Sequence, residues 1–208
     1  MKHQPYGPYE KFIKRPLDFL LALFALIVLS PVLLVTAVLV RVKLGSPVLF
    51  TQRRPGKDGR VFKLYKFRTM LPPVKGREDP RYDAERLTPF GRKLRSTSLD
   101  ELPELINILK GDMSIVGPRP LLVQYLERYN PRQRRRHEVR PGFTGLAQVH
   151  GRNAISWEEK FEWDVQYVDH ITFLKDCGII LATVKTVLRR DGINSEGAAT
   201  MEEFMGGS

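Results

Sequence analysis

Two adjacent carboxylates, Asp100 and Glu101, are the residues whose types and spacing point most directly to chemistry. They follow Ser98 at the predicted start of a helix, where backbone N–H groups and the helix dipole favour negative charge. An aspartate held there stays ionised, which suits a nucleophile or a metal ligand. Neighbouring helical residues point about 100° apart, so each carboxylate must have its own task. Ser98 and Glu101 also match a capping box, which alone would explain Glu101.

Basic side chains surround this pair in the sequence. Arg119 lies between two prolines, which fix its backbone, and a rigid guanidinium can bind phosphate in bidentate fashion. Candidate substrate-binding positions are therefore Lys66, Arg68, Arg95, Pro118 and Arg119. The arginine-rich run at 132–136 is more typical of a solvated face or of contact with acidic lipid.

Composition narrows the class of partner. Net charge is +11, from 34 Lys and Arg against 23 Asp and Glu. We therefore expect nucleic acid, acidic lipid headgroups or a phosphorylated substrate, with a generally basic surface as the alternative. Cys177 is the single cysteine, which excludes an intrachain disulfide and a cysteine-based zinc site. The sequence contains no Walker-type or dinucleotide-binding glycine motif.

An apolar segment near the N-terminus is expected to hold the chemistry at a membrane. Residues 19–40 are almost wholly apolar, long enough for a transmembrane helix and too long for a signal peptide. Basic residues flank both ends, so the positive-inside rule favours the cytoplasm for both. A single straight span cannot satisfy this distribution.

Ser30 and Pro31 divide the apolar segment in two. Proline lacks an N–H and clashes with the preceding turn, and a serine hydroxyl can satisfy a backbone group that the break frees. Each half gives about 18 Å of helix, less than the roughly 30 Å hydrocarbon core. We predict a re-entrant helix that is broken at Ser30 and Pro31, with an ordinary kinked span as the alternative. An Arg15–Asp18 pair is expected to anchor its start.

The rest of the sequence predicts a compact α+β domain. Residues 48–52 and 61–67 form a predicted β-hairpin, and 72–83 a loop. Thr88 is the predicted N-cap of one helix, and Ser156 with Glu159 form a capping box for another. A final helix at 173–190 is amphipathic, and it either lies in the membrane interface or packs in the core.

These elements define the predicted organisation. Residues 1–43 form the re-entrant membrane helix with basic flanks, 44–193 the cytoplasmic catalytic domain, and 194–208 a polar, poorly ordered tail. The expected fold class is α+β and mostly helical: a re-entrant membrane helix, then a compact cytoplasmic domain with a small β-hairpin and an amphipathic interfacial helix.

Several motifs together resemble the bacterial sugar transferases, the small monotopic phosphoglycosyl transferases. They span nearly the whole chain in the family's order. The matching residues are Lys14-Arg15 with Asp18, Ser30-Pro31, Lys66-Phe67-Arg68-Thr69-Met70, Leu94-Arg95 through Ser98-Leu99-Asp100-Glu101-Leu102-Pro103, Gly117-Pro118-Arg119-Pro120, and Arg140-Pro141-Gly142-Phe143-Thr144-Gly145-Leu146. Asn153-Ala154-Ile155-Ser156-Trp157 and Glu196-Gly197 look most like the enzyme that begins bacterial N-linked protein glycosylation, which uses UDP-di-N-acetylbacillosamine.

The resemblance implies a two-step reaction at the cytoplasmic face of the bacterial inner membrane. Asp100 would attack the sugar-bearing phosphate of a UDP-sugar and release UMP, and polyprenyl (undecaprenyl) phosphate would then accept the phospho-sugar. Asp100 and Glu101 would be the catalytic residues and would bind Mg²⁺, while Arg95 and Arg119 would hold phosphates. The expected partners are the UDP-sugar, the polyprenyl phosphate and the phospholipid membrane. A homo-oligomer is left open as a further partner.

Two other classes of protein are weighed against this one. A nucleic-acid-binding protein would account for the charge, but the lipid-buried segment and the lack of interleaved aromatics argue against it, so no nucleic acid is expected. A non-catalytic basic membrane adaptor would use the carboxylates only as helix caps. Transfer of phospho-sugar into lipid, with and without Asp100, separates these classes.

Overall fold

The computed structural model describes residues 3–73, 83–151, 155–189 and 203–206, without the side chains of 84 and 187–189. Most of the predicted loop at 72–83 lies outside the described residues. So do Asn153, Ala154, Glu196 and Gly197, which contribute to the resemblance, and most of the predicted tail.

The apolar segment forms two helices that meet at an angle. A short π-helical turn at Tyr9–Ile13 leads into α1 (Lys14–Val28), and α2 follows at Ser30–Leu44. The axes bend by 63° at the break. Among the described residues no single helix is both long and apolar enough to cross a bilayer, although this bent pair passes on length and composition taken together.

Proline chemistry accounts for the bend. Pro31 cannot donate to the carbonyl oxygen of Ile27, four residues earlier, and Leu29 takes a non-helical ψ of 3°. The hydroxyl of Ser30 donates to the Ile27 oxygen instead, at 2.8 Å. The Ile27 carbonyl oxygen, which loses its helical donor at Pro31, therefore keeps a local hydrogen bond. Such a bond is required where the surroundings are apolar.

One side of this helix pair packs on the rest of the protein. Ala22 of α1 is buried in a cluster with Leu64, Leu105, Ile108 and Met113. Most other apolar side chains of the two helices are exposed. Examples are Leu20, Phe24 and Ile27 of α1 and Leu34, Val35 and Val42 of α2. The pair therefore presents an apolar surface that the described protein does not cover.

Buried polar contacts fix the start of α1, and they differ from the predicted Arg15–Asp18 pair, which is wrong. The carboxylate of Asp18 accepts from the Ser114 hydroxyl at 2.6 Å and from the Ile115 N–H at 3.1 Å. Arg15 instead donates to the carbonyl oxygen of Ile108 at 2.7 Å. Contacts to residues almost a hundred positions away satisfy both charges better than a local pair would.

The predicted hairpin is confirmed. Strand β1 (Leu49–Pro55) pairs antiparallel with β2 (Val61–Phe67), and a 3₁₀ turn at Lys57–Gly59 joins them. Asp58 in this turn has a φ of 56°, a left-handed conformation that aspartate tolerates. Lys66 lies near the end of β2, and Arg68 directly follows the strand.

The helix that was expected to start at Ser98 begins later. Ser98 has a left-handed φ of 56° and its side chain caps nothing, so the predicted capping box with Glu101 is wrong. Leu99–Glu101 form a 3₁₀ turn, and α5 runs only from Glu104 to Lys110. Pro103 explains the delay, because it has no N–H with which to continue a helix from Ser98.

The remaining elements include a short parallel strand pair. Strand β3 (Ser114–Val116) pairs with β4 (Gly142–Thr144). The other helices are α3 (Asp83–Arg86), α4 (Pro89–Ser96), α6 (Pro131–Arg134), α7 (Leu146–Val149), α8 (Trp157–Asp169) and α9 (Phe173–Arg189), with 3₁₀ turns at Val123–Glu127 and Arg135–His137. The α+β, mostly helical fold class is confirmed.

Side chains cap two of these helices as predicted. The Thr88 oxygen accepts from the Gly91 N–H at 3.0 Å. Ser156 and Glu159 form a complete capping box at the start of α8. In the tail, Phe204 is buried among Tyr125, Tyr129, Trp157 and Phe161, so the expectation of a poorly ordered polar segment is wrong at this residue.

The last helix combines a buried polar face with an exposed apolar one. Asp176 is buried and accepts from Lys14 at 2.6 Å, which ties α9 to the start of α1. On the outside, Leu174 is 79% exposed and Leu181 is 70% exposed. Such exposure is unusual for a helix that packs only in a core.

Candidate active site

The candidate site is built on the 3₁₀ turn between α4 and α5. Asp100 in this turn is buried, at 7% exposed. Its carboxylate accepts no hydrogen bond from any residue in the part of the chain that the structure describes. The nearby charges that act on it come from Glu101, Lys66, Arg95 and Arg119. An unengaged carboxylate beside three cations can attack a phosphorus atom or bind a metal ion.

The second carboxylate is engaged by two cations. Glu101 Oε1 accepts from Lys66 Nζ at 2.6 Å and from Arg119 Nη2 at 2.6 Å. Lys66 Nζ also lies 3.1 Å from Glu104 Oε1. The neighbouring carboxylates therefore have different environments, as the sequence analysis expected from their different directions, and Glu101 organises the cations while Asp100 stays open.

Arg119 is held from behind by a buried ion pair. The guanidinium of Arg136 donates to the carbonyl oxygen of Arg119 at 2.7 Å and to Asp164 at 2.7 and 3.0 Å. Both Arg136 and Asp164 are only 2% exposed. Pro118 precedes Arg119 and restricts the same loop. The side chain of Arg119 is thus presented by a rigid segment.

A close backbone approach fixes this loop further. A Cβ atom at Gly142 would lie 2.1 Å from the Gly117 nitrogen, and one at Gly117 would lie 2.5 Å from the Arg140 carbonyl oxygen. Only glycine fits at both positions. The loop that carries Arg119 therefore lies directly against the start of β4.

The two remaining predicted arginines have different surroundings. Arg95 Nε donates to Thr69 Oγ1 at 2.9 Å, and its charge lowers the pKa of Asp100. Arg68 is buried and donates to the carbonyl oxygens of Leu44 and Ser46. Arg68 therefore joins the end of α2 to the hairpin, and these contacts do not direct it toward the carboxylates.

Burial and charge separate the pKa values of the carboxylates. Burial and, after it, the charge of Glu101 raise the pKa of Asp100 to about 6 against the opposing charges of the nearby cations. Burial also acts to raise the pKa of Glu101, but the charges of Arg119 and Lys66 outweigh it and hold that pKa well below its usual range. Near neutral pH both groups are ionised. The pKa of Asp100 is higher than the helix-dipole argument predicts, so this carboxylate is closer to protonation.

Two residues at this site were missed by the sequence analysis. Glu104 is 3% exposed, and burial together with the Glu101 charge raises its pKa to about 7. Its spacing of three from Glu101 was an available signal, since such residues share a helix face. The buried Nε of Arg54 has no partner among the described residues, and burial and Arg119 lower its pKa to about 10. No sequence feature distinguishes it from Arg53.

The fit of a divalent cation rests on Asp100. Among the described residues no three His, Cys, Asp or Glu side chains form a metal-binding group. Magnesium in phosphoryl-transfer enzymes commonly uses one or two carboxylates and completes its shell with water and substrate phosphate. The unengaged Asp100 carboxylate fits that pattern, whereas Lys66 and Arg119 already bind one oxygen of Glu101.

Comparison with known proteins identifies the family. The profile described as Bacterial sugar transferase matches residues 9–190. An uncharacterized sugar transferase of Bacillus subtilis, EpsL, is 52% identical over 93% of this chain and 96% of its own length. The undecaprenyl-phosphate galactose phosphotransferase of Salmonella typhimurium is 39% identical over 88% of this chain. The UDP-N-acetylgalactosamine-undecaprenyl-phosphate N-acetylgalactosaminephosphotransferase of Aeromonas hydrophila is 40% identical over 88%.

The match differs in extent among these relatives. This chain spans only 42% and 45% of the Salmonella and Aeromonas proteins, but nearly all of the Bacillus protein. The matched region contains every residue of the site described above. The chain belongs to the bacterial sugar transferase family.

Proposed function

We propose that this protein transfers a phospho-sugar from a UDP-sugar to undecaprenyl phosphate. The observation that carries the proposal is the unengaged, buried carboxylate of Asp100 beside the Lys66–Glu101–Arg119 cluster. The Salmonella and Aeromonas relatives are named for transfer to undecaprenyl phosphate. The reaction would be the first membrane step in the assembly of a glycoconjugate.

Asp100 is the proposed nucleophile. One of its oxygens attacks the phosphorus that bears the sugar, the bond to the bridging diphosphate oxygen breaks, and UMP leaves with that oxygen. The product on the enzyme is an aspartyl phospho-sugar. An oxygen of undecaprenyl phosphate then attacks the same phosphorus, which frees the Asp100 carboxylate and forms undecaprenyl diphospho-sugar. Both steps displace an oxygen at phosphorus, so no oxidant or reductant is required.

The cations around Asp100 are proposed to bind the diphosphate of the UDP-sugar. Arg119 can share its planar fork between Glu101 and a phosphate oxygen, and Lys66 offers a second positive charge. A pKa of about 6 leaves Asp100 mostly ionised at neutral pH and makes its carboxylate more basic than an aspartate of ordinary pKa. Asp100 and Glu101 are the residues that would hold Mg²⁺, which would neutralise charge on the diphosphate.

The bent helix pair is proposed to enter and leave the membrane from the cytoplasmic face. The 63° bend and the exposed apolar side chains of α1 and α2 support this topology. Exposed Leu174 and Leu181 on α9 would lie in the interface. The site would then stand at the depth of the acceptor's phosphate, on the inner membrane of a bacterium.

The identity of the donor sugar can be decided by experiment. The resemblance to the initiating enzyme of N-linked protein glycosylation favours UDP-di-N-acetylbacillosamine, whereas the relatives are named for galactose and N-acetylgalactosamine. Measuring UMP release with a panel of UDP-sugars that includes all three decides among them. We expect one sugar to be preferred by at least about tenfold, which is about 1.4 kcal/mol.

Trapping the intermediate tests the mechanism. Wild-type protein incubated with the preferred UDP-sugar and Mg²⁺, without acceptor, should gain the mass of one phospho-sugar, and peptide mapping should locate it on Asp100. Asp100→Asn should gain none. Asp58→Asn is the matched control, because Asp58 lies in the distant hairpin turn at a φ that asparagine also accepts. UMP release by Asp100→Asn in a single turnover would contradict the covalent route.

A further inference from the structure

A cleft opens on one side of the catalytic turn. The cleft is open to solvent and encloses a volume of about 50 Å³. Four elements contribute its walls: the 3₁₀ turn of Leu99–Glu101 with Ser98, strand β4, helix α7 and helix α9. The polar residues that line it are Ser98, Glu101, Thr144, Gln148, Thr183 and Thr186. The cleft therefore extends from the candidate active site to the proposed interfacial helix.

The threonine hydroxyls in this cleft already donate their protons within the protein. Thr183 donates to the carbonyl oxygen of Ile179 at 2.7 Å, and Thr186 donates to that of Ala182 at 2.8 Å. Thr144 and Thr183 lie 2.6 Å apart, so Thr144 must be the donor in that pair. Each hydroxyl has one proton and two lone pairs. The threonines therefore offer acceptors to a ligand.

Gln148 adds a stronger acceptor. Its amide nitrogen donates to the carbonyl oxygen of Phe143 at 3.3 Å, which orients the side chain. Its Oε1 atom is buried and has no hydrogen-bond partner among the described residues. Leaving such an oxygen unsatisfied is costly, and a ligand with an O–H or N–H group would remove that cost.

Charge decides what kind of ligand fits. Among the residues whose side chains the structure describes, no lysine or arginine lines the cleft, and Glu101 contributes a negative charge. Phosphate would be repelled here and attracted to Lys66 and Arg119, which both bind Glu101. Two lining donors have no acceptor among the described residues: the Ser98 hydroxyl and the second N–H of the Gln148 amide, whose first N–H donates to Phe143. A neutral ligand rich in O–H and N–H donors fits this lining.

We propose that this cleft binds the sugar of the nucleotide-sugar donor. The Gln148 oxygen and the Thr186 hydroxyl accept hydrogen bonds from sugar hydroxyls or from an acetamido N–H, and the Phe143 ring in the wall offers an apolar surface to the sugar's C–H groups. Gln148 and Thr186 are thus specificity-determining residues. The inference rests on the proposed function, since it assigns a place to the sugar of that reaction.

Two nearly isosteric substitutions test the assignment. Gln148→Met and Thr186→Val each remove an acceptor while keeping volume. For the preferred UDP-sugar, kcat/KM of UMP release should fall about three- to tenfold, the effect of one neutral hydrogen bond. The inhibition constant of UMP, which lacks the sugar, should change less than about twofold. Gln166→Met, the same change at an exposed position of α8, should match wild type.

Other results would overturn the inference. Unchanged kcat/KM for every UDP-sugar in both variants would mean that the cleft does not contact the sugar. An equal change in the UMP inhibition constant would assign the cleft to the nucleotide, and a change confined to the KM of undecaprenyl phosphate would assign it to the lipid. If the wild type releases no UMP from any UDP-sugar, the proposed function fails first, so the two failures are distinguishable.

Discussion

The guanidinium of Arg136 donates to the backbone carbonyl oxygen of Arg119 at 2.7 Å, from a position where it is almost completely buried. The same guanidinium forms a two-bond ion pair with Asp164 of α8. Arg136 thus connects a helix outside the site to the loop that presents Arg119 to Glu101. We regard Arg136 and Asp164 as positioning residues, because they act on the site through Arg119.

Asp164→Asn should destabilise the protein and displace Arg119. The substitution leaves the Arg136 charge buried without its counter-ion, which costs about 3 kcal/mol of unfolding free energy. Thermal unfolding in detergent measures this loss, and kcat/KM for UMP release should fall with it. Glu162→Gln is the control on the same helix, since its pair with Arg132 is exposed and should contribute little. Equal effects of the two variants would contradict the positioning role.

Activity should depend on the ionisation of Asp100. Its pKa of about 6 means that the nucleophilic carboxylate is lost as pH falls through 6 and is fully present well above it. The rate of the first UMP burst, measured without acceptor, should therefore rise with pH and level off above about 7.

Two variants separate the contributing carboxylates. Glu101→Gln removes the like charge that raises the pKa of Asp100, so the inflection should move to lower pH and the maximum rate should fall. Glu104→Gln removes the group with a pKa of about 7 and should leave the inflection near 6. A burst rate that decreases with pH across this range would mean that a protonated group limits the step.

Local signals predicted the elements whose causes are local. The hairpin at β1 and β2 follows from a turn rich in proline and glycine between two apolar runs. The caps at Thr88 and Ser156 likewise depend on residues within one turn. The interacting residues are close neighbours in the sequence, so the sequence pattern alone predicts the contact.

Contacts between distant parts of the chain account for what the sequence analysis missed. Ser98 and Glu101 fit a capping box, yet Glu101 binds Lys66 and Arg119, which lie 35 and 18 residues away. Charge-assisted bonds of this kind outweigh a local cap. Asp18 likewise accepts from Ser114, 96 residues away, and not from Arg15. Spacing along the chain carries no signal for such pairs.

The topology of the bent helix pair can be tested by cysteine labelling. In a Cys177→Ser background, Gln4→Cys and Ser46→Cys place thiols at exposed positions on the two flanks. Neither should react with a membrane-impermeant maleimide in intact cells, and both should react after permeabilisation. Labelling of either one from outside would contradict the re-entrant topology and favour a kinked span. Pro31→Leu restores a donor to the Ile27 carbonyl and should favour a straight span.

Arg119→Lys tests whether the planar guanidinium binds substrate phosphate. Lysine keeps the charge beside Glu101, so that carboxylate should stay ionised, but an ammonium cannot contact Glu101 and a phosphate oxygen through one rigid fork. We expect kcat/KM for UMP release to fall about 100-fold, as when a donor that stabilises developing charge is removed. Arg60→Lys, at an exposed position near the end of the hairpin turn, is the matched control. Arg119→Met, which also removes the charge, should lose more activity than Arg119→Lys. If Arg119→Lys shows wild-type kinetics, positive charge alone suffices at this position, and Arg119 serves only to neutralise Glu101.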